Sequence, residues 1–162
     1  CCEFRMIKKN FFIYSFFILL IFLLDRISKI YVIYLDKKLP GSEIFSSWYL
    51  NIQLIWNEGI AFGLFSFDDK FYYNLLTGLI IIISAVIIYF IVNTKDIERY
   101  AFTMIFGGSI GNIFDRLVYS SVPDFIDVHY ENFHWFIFNV ADIFITFGVL
   151  ILITFELILK KK

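Results

Sequence analysis

The sequence predicts an all-α integral membrane protein of four transmembrane helices with a small extracytoplasmic β-rich cap. Three observations carry that prediction. The 162-residue chain is 60% hydrophobic and only 18% charged, where an ordinary soluble domain is roughly 45–50% apolar with about a quarter of its residues charged. The charges cluster between four long apolar runs. One segment between runs, residues 36–70, is too long for a simple connection and holds a strand-like alternation.

The runs define the helices. Residues 10–24 are uncharged, and apolar character resumes after Asp25 and Arg26 as far as Ile33. Residues 71–94 are uncharged throughout, the cleanest run of the four. The third, residues 100–114, is interrupted by Asp115 and Arg116 and continues through residues 117–123. The fourth, residues 132–159, is apolar apart from Asp142, Glu156 and a few polar neighbours. Crossing the hydrocarbon takes about 20 helical residues, so the first, third and fourth runs cross only if they carry their charges in with them. The expected helices are about 9–34, 71–94, 99–119 and 136–159, with an extracytoplasmic loop over about 36–70. A cleaved signal peptide is a poorer account of the first run, because no small-residue cleavage site follows it. Residues 1–5, ahead of Met6, read as a cloning remnant, which leaves residues 6–162 as a single domain. The only cysteines are Cys1 and Cys2, so the body of the chain has no disulfide framework. A net charge of −1 argues against nucleic acid as a partner.

Orientation follows from lysine and arginine near the span ends. Lys8 and Lys9 precede the first run, Lys95 and Arg99 separate the second from the third, and Lys160, Lys161 and Lys162 close the chain. In a four-span protein these positions share one side, and positive charge marks the cytoplasm. Lys37, Lys38 and Lys70 lie on the other side, in a long loop where the rule weakens. Both termini are expected in the cytoplasm.

Depth then becomes informative. At 1.5 Å per residue, Asp25 lies about 24 Å from Lys9, Asp115 about 24 Å from Arg99, and Asp142 about 27 Å from Lys160. Three carboxylates on three helices are thus expected at one level, near the outer boundary of the hydrocarbon. In the long loop, Leu50, Ile52, Leu54 and Trp56 alternate with Asn51, Gln53 and Ile55, a period of two. Gly59 and Gly63 bracket what reads as a tight turn and return.

The chemistry is expected where small and polar residues share helix faces. Gly107 and Gly111 form a GxxxG pair that permits close helix approach. Gly108, Asn112 and Asp115 share a face by i, i+3 and i+4 spacing, and Asn139 and Asp142 are again three apart, with Thr146 a turn further. Each helix therefore offers an amide and a carboxyl. An acid at membrane depth is costly unless paired or facing water, which makes it a functional candidate. Two such carboxyls brought together share one proton. The ionised one can take a proton from water while the protonated one donates toward a peptide carbonyl, the logic of an aspartic peptidase.

Five motifs occur in order: Asp25-x-x-x-Lys29; Asn57-x-Gly59-x-Ala61-Phe62-Gly63; Gly111-Asn112-x-x-Asp115-Arg116; Asp124-Phe125-Ile126; and Phe138-Asn139-x-Ala141-Asp142. Together they resemble the lipoprotein signal peptidase, or signal peptidase II, family, over nearly the whole chain. The resemblance implies a four-helix membrane enzyme with an extracytoplasmic β-cradle. Its substrate would be a prolipoprotein whose lipobox cysteine carries a diacylglyceryl group, cut just before that cysteine. By the same resemblance Asp115 and Asp142 match the catalytic dyad and Asn112 and Asn139 the amides that support it. Arg116 matches a residue holding the substrate backbone. Asp25, Lys29, Asn57 and Gly59 match positions lining or bracing the site, and Asn57 is a candidate oxyanion donor. Two positions depart from the family pattern, Phe136 after Trp135 and Pro123 before Asp124, and both concern the shape of the outer loop.

Other residues carry plainer expectations. His129 and His134, five apart, fit neither an HExxH motif nor a helical i, i+4 pair, so no metal is expected, and no cofactor. Asp25 and Lys29 suit a local ion pair as well as a substrate contact, and Glu156 with Lys160 suits a cytoplasmic-end pair. Trp48, Tyr49 and Trp56 suit an interfacial aromatic belt. Ser109 is set aside as a nucleophile because no lysine is placed to activate it. A proton-coupled carrier would spread its acids through the bilayer, and a non-catalytic scaffold would have no use for two matched amide–carboxyl faces. The expected partners are the lipidated precursor and membrane lipid, with the protein a monomer in a bacterial cytoplasmic membrane.

Overall fold

Helices supply most of the chain in the computed structural model, which describes residues 2–38, 41, 43–59, 70–131 and 133–159. Helix α1 spans Cys2–Lys38, longer at both ends than the expected segment. Helix α2 spans Lys70–Asn93 and α3 spans Asp96–Tyr119. Asp96 and Glu98 in the first turn of α3 complement its dipole, and Ser120 ends it in the left-handed region at φ 56°. Helix α4 spans Val140–Thr154 and continues as a π-helical turn over Phe155–Leu159. Among the described residues, two helical stretches, Phe71–Asn93 and Val140–Leu157, are long and apolar enough to cross a membrane. The apolar side chains around the helices face outward. Ile82 on α2 is 63% exposed and Leu117 on α3 68% exposed.

The cap is a four-stranded antiparallel sheet in the order β1-β2-β3-β4. Strand β1 is Phe45–Ser46 and β2 is Leu50–Asn57, where the period-two alternation predicts a strand. Strands β3, Val122–Tyr130, and β4, Phe133–Phe138, lie between α3 and α4 and correct the sequence reading. The start of the fourth apolar run is not helix: Phe133–Phe138 pairs with β3, and the helix begins only after Asn139. Asn139 is the reason. Its extended backbone and its side chain accepting from the Asp142 N–H form the helix N-cap, while the Asp142 carboxylate accepts from the Asn139 N–H in return. The expected return through Ile60, Ala61, Phe62 and Gly63 lies outside the described residues, as do Lys160, Lys161 and Lys162.

Helix α3 packs against α1, α2 and α4 together. Its small residues set the distances. A Cβ on Gly107 would lie 3.0 Å from Ile21 and one on Gly111 2.5 Å from the Asp25 carboxylate, so the GxxxG pair faces α1. A Cβ on Gly108 would meet the Ala141 carbonyl of α4 at 2.5 Å. The side chains most completely buried inside this packing include Lys29, Asp25, Asp115 and Asn139. Such residues are almost never fully buried unless paired.

Candidate active site

Close packing of α1 on α3 brings Asp25, Arg26, Lys29 and Asp115 into one buried cluster. Lys29 has three N–H donors and all three are engaged: Asp25 at 2.9 Å, Asn112 Oδ1 at 2.8 Å and Asp115 Oδ2 at 2.7 Å. Arg26 Nη2 lies 2.5 Å from the other Asp115 oxygen and 3.3 Å from Asp25, with its guanidinium over the Phe114 ring. The remaining side of Asp25 accepts the Ala141 N–H of α4 at 3.0 Å. Two carboxylates thus meet two cations. Two acids so paired bind α1, α3 and α4 to one another, because removing one partner would leave a buried charge uncompensated. The expected Asp25–Lys29 ion pair is present. Arg26 was given no role by the sequence, although its adjacency to Asp25 was visible there.

A second acidic cluster lies at the junction of the sheet with α4. Asp124 of β3 is buried and accepts from Asn57 Nδ2 at 2.8 Å and Asn139 Nδ2 at 2.6 Å. Asn139 is held between two acids, since its Oδ1 accepts the Asp142 N–H at 3.1 Å. The Asp142 carboxylate accepts from Asn112 Nδ2 at 2.8 Å and from the Asn139 N–H at 3.2 Å. No cation touches either acid among the described contacts. Burial pushes the Asp124 carboxyl up to about 6, and the nearby charge of Asp142 adds to the effect. Beside Asp142 opens a cavity of about 190 Å³ lined by Phe136, Phe138, Ile143, Thr146 and Phe147.

The predicted site residues therefore divide. Asn112 bridges the clusters, its oxygen on Lys29 and its nitrogen on Asp142. Asp115 and Asp142, the expected pair, are joined only through Lys29 and Asn112, and both Asp115 oxygens are taken by cations. The acid brought to Asp142 is Asp124, whose motif was legible but to which no role was given. Asn57 does not stand free as an oxyanion donor. Its amide nitrogen holds Asp124 while its oxygen accepts the Gly59 N–H at 2.9 Å. Arg116 donates to the Gly59 carbonyl at 2.5 Å and lies over Tyr73 of α2, so in this state it secures the chain's own backbone. The Arg116 Nε and Nη1 atoms are buried without a partner among the described residues.

Comparison with known proteins agrees with this architecture. The model of the Signal peptidase (SPase) II family matches residues 17–158. The chain is 49% identical over 154 residues to the lipoprotein signal peptidase of Pelagibacter ubique (strain HTCC1062), covering 95% of this chain and 93% of that protein. It is 41% identical over 118 residues to the lipoprotein signal peptidase of Francisella tularensis subsp. novicida (strain U112), covering 70% and 73%. A solved bacterial membrane enzyme, determined by the in meso method at 2.3 Å, superposes with a TM-score of 0.74 at 27% identity, covering 89% and 87% of the two chains. Helices packed around buried acids, an antiparallel cap and a family match across most of the chain lead to one conclusion: the protein belongs to the signal peptidase II family and is a membrane peptidase.

Proposed function

We propose that the protein is a four-span aspartyl endopeptidase that removes the signal peptide from diacylglyceryl-modified prolipoproteins, cutting before the lipidated cysteine. Both termini are cytoplasmic, the acids lie near the outer face, and residues 6–162 act as a single domain and a monomer. Family membership supports the substrate class. The charge pattern of the short loops supports the topology.

In this reading the acid pair is Asp124 with Asp142, in place of the Asp115 and Asp142 expected from helix-face spacing and from the family resemblance. One observation carries this reading: Asp124 and Asp142 meet through Asn139 and are held by amides, whereas Asp115 has both oxygens on cations. An amide-held acid can gain and lose a proton during turnover, but an oxygen engaged by Lys29 or Arg26 is not free to meet a water. Asp142 borders the cavity, so it takes a proton from the attacking water. Asp124, whose carboxyl burial raises to about 6, donates to the peptide carbonyl oxygen as the tetrahedral diol forms. Collapse of the diol breaks the C–N bond, with the proton on Asp142 passing to the leaving amine and Asp124 recovering its own. The apolar walls at Phe136, Phe138, Ile143 and Phe147 suit an apolar peptide or acyl chain.

Single-turnover cleavage of a lipidated precursor peptide tests the assignment, with Asp124→Asn, Asp142→Asn and Asp115→Asn compared at matched folded concentration. Loss of cleavage in the first two, with Asp115→Asn retaining measurable turnover, is the expected outcome. Near-normal cleavage by Asp124→Asn would return the pair to Asp115 and Asp142.

A further inference from the structure

The β3–β4 hairpin brings together three side chains that neither acidic cluster uses. His129 and His134 are direct cross-strand partners, with rings stacked at 5.1 Å between centroids and 24° between planes. Asp127, two residues before His129, reaches His134 Nδ1 with Oδ2 at 2.8 Å. One ligand atom from each of the three lies within 4.8 Å of the others. The five-residue spacing that suits no helical metal motif becomes an adjacent pair once the chain reverses between Tyr130 and Phe133.

Hydrogen bonding within the trio leaves two polar atoms unexplained. Asp127 is buried, 7% exposed, and its Oδ1 has no partner among the described residues. The buried His129 Nδ1 also has none. Buried polar atoms are nearly always satisfied, so each of these two atoms calls for a partner that the described residues do not supply.

We propose that Asp127, His129 and His134 bind one divalent transition-metal ion of the zinc class, clipping β3 to β4. Two imidazoles and a carboxylate are borderline ligands that favour zinc over calcium or magnesium, which prefer all-oxygen sets. Ligands of a tetrahedral zinc stand roughly 3.4 Å apart, given bonds of about 2.0–2.1 Å. The three ligand atoms already lie within 4.8 Å of one another, and the His134 side chain, 54% exposed, has room to adjust. Water fills the fourth position. The ion fixes the hairpin whose strands also carry Asp124, Phe136 and Phe138, and the cleavage chemistry does not pass through it.

The test uses full-length protein in detergent with Cys1→Ser and Cys2→Ser in the background, since free thiolates would compete for the metal. Cobalt(II) titration followed by visible absorption should give one saturable equivalent with the strong bands of tetrahedral nitrogen and oxygen ligation, displaced by zinc. His134→Ala and His129→Ala should each weaken zinc binding, read by competition with a chromophoric chelator, by roughly tenfold or more, since even outer-shell losses cost 10–100-fold. Zinc should raise the thermal midpoint of the parent and not of His134→Ala. Asp127→Asn, which preserves shape, covers the case in which a histidine variant folds poorly, and should weaken zinc similarly. No saturable cobalt spectrum, or zinc affinity unchanged in all three variants, would overturn the site.

Discussion

Asp115 and Asp124 are nine positions apart in sequence and both buried, yet their carboxylates keep opposite company. Asp115 meets Lys29 and Arg26, in a cluster where two acids balance two cations and the α1–α3 contact is closed. Asp124 meets only amides, with a second acid beyond one of them and a cavity beyond that. Matched charge makes the first cluster a brace. Unmatched charge makes the second one responsive to protons, because only there does ionisation lack a fixed counter-charge. Burial of an acid thus does not by itself indicate catalysis; the identity of its partners does.

The sharpest way to break that contrast is cleavage by isosteric variants. Asp124→Asn and Asp142→Asn should each reduce single-turnover cleavage by on the order of a thousandfold or more while leaving the thermal midpoint near the parent's, since members of a pair act as a unit. Asp115→Asn should do the reverse, losing stability first. If Asp115→Asn keeps its midpoint and loses cleavage a thousandfold, brace and catalyst have been exchanged.

Lys29→Met addresses the brace directly. It leaves Asp25 and Asp115 with Arg26 alone, and breaking a buried pair this way costs about 3–5 kcal/mol. Denaturant titration in detergent, followed by helical circular dichroism, measures it. A stability loss below about 1 kcal/mol would mean that the cluster is solvated and not a brace.

The responsive cluster has its own signature in pH. Asp124 titrates near 6 against an ordinary 3.8, a difference worth about 3 kcal/mol at 1.36 kcal/mol per pKa unit. Its folded pKa is raised, so its contribution to stability is complete below pH 3.8 and lost as pH rises through about 6. Carbon-13 NMR of the Asp124 carboxyl in unliganded protein should show that midpoint. It should fall partway toward the ordinary range in Asp142→Asn, because desolvation, the larger cause, remains. An Asp124 midpoint near 4 in the parent would remove the distinction between the clusters.

Glycine substitutions sharpen it further at smaller scale. Gly111→Ala would press on the Asp25 carboxylate, which is pinned by Lys29 and the Ala141 N–H, and should cost about 1–3 kcal/mol. Gly107→Ala meets only Ile21, which can give a few tenths of an ångström, and should cost less. Equal thermal midpoints for the two variants would show that Asp25 is not held as tightly as its contacts imply.

Composition and apolar runs were enough to find the helices, because spanning length and charge exclusion are local properties of the chain. The alternation in residues 50–56 was enough to find β2 for the same reason. Strand β3 escaped because it buries Asp124, Phe125 and Asp127 on both faces, leaving no alternation of polar with apolar to read. Strand β4 escaped because its aromatic run merges with the apolar start of α4, and only the reciprocal cap between Asn139 and Asp142 divides them. The sequence by itself determined the helices, their small-residue faces and the set of acids from which the site is drawn. Which acids meet was decided by tertiary structure alone. Lys29 is long enough to cross from α1 to α3 and occupy Asp115, while Asn139 holds β3 against α4 and brings Asp124 to Asp142. Side-chain reach between elements and the register of a sheet are non-local quantities, and spacing along one chain does not encode them.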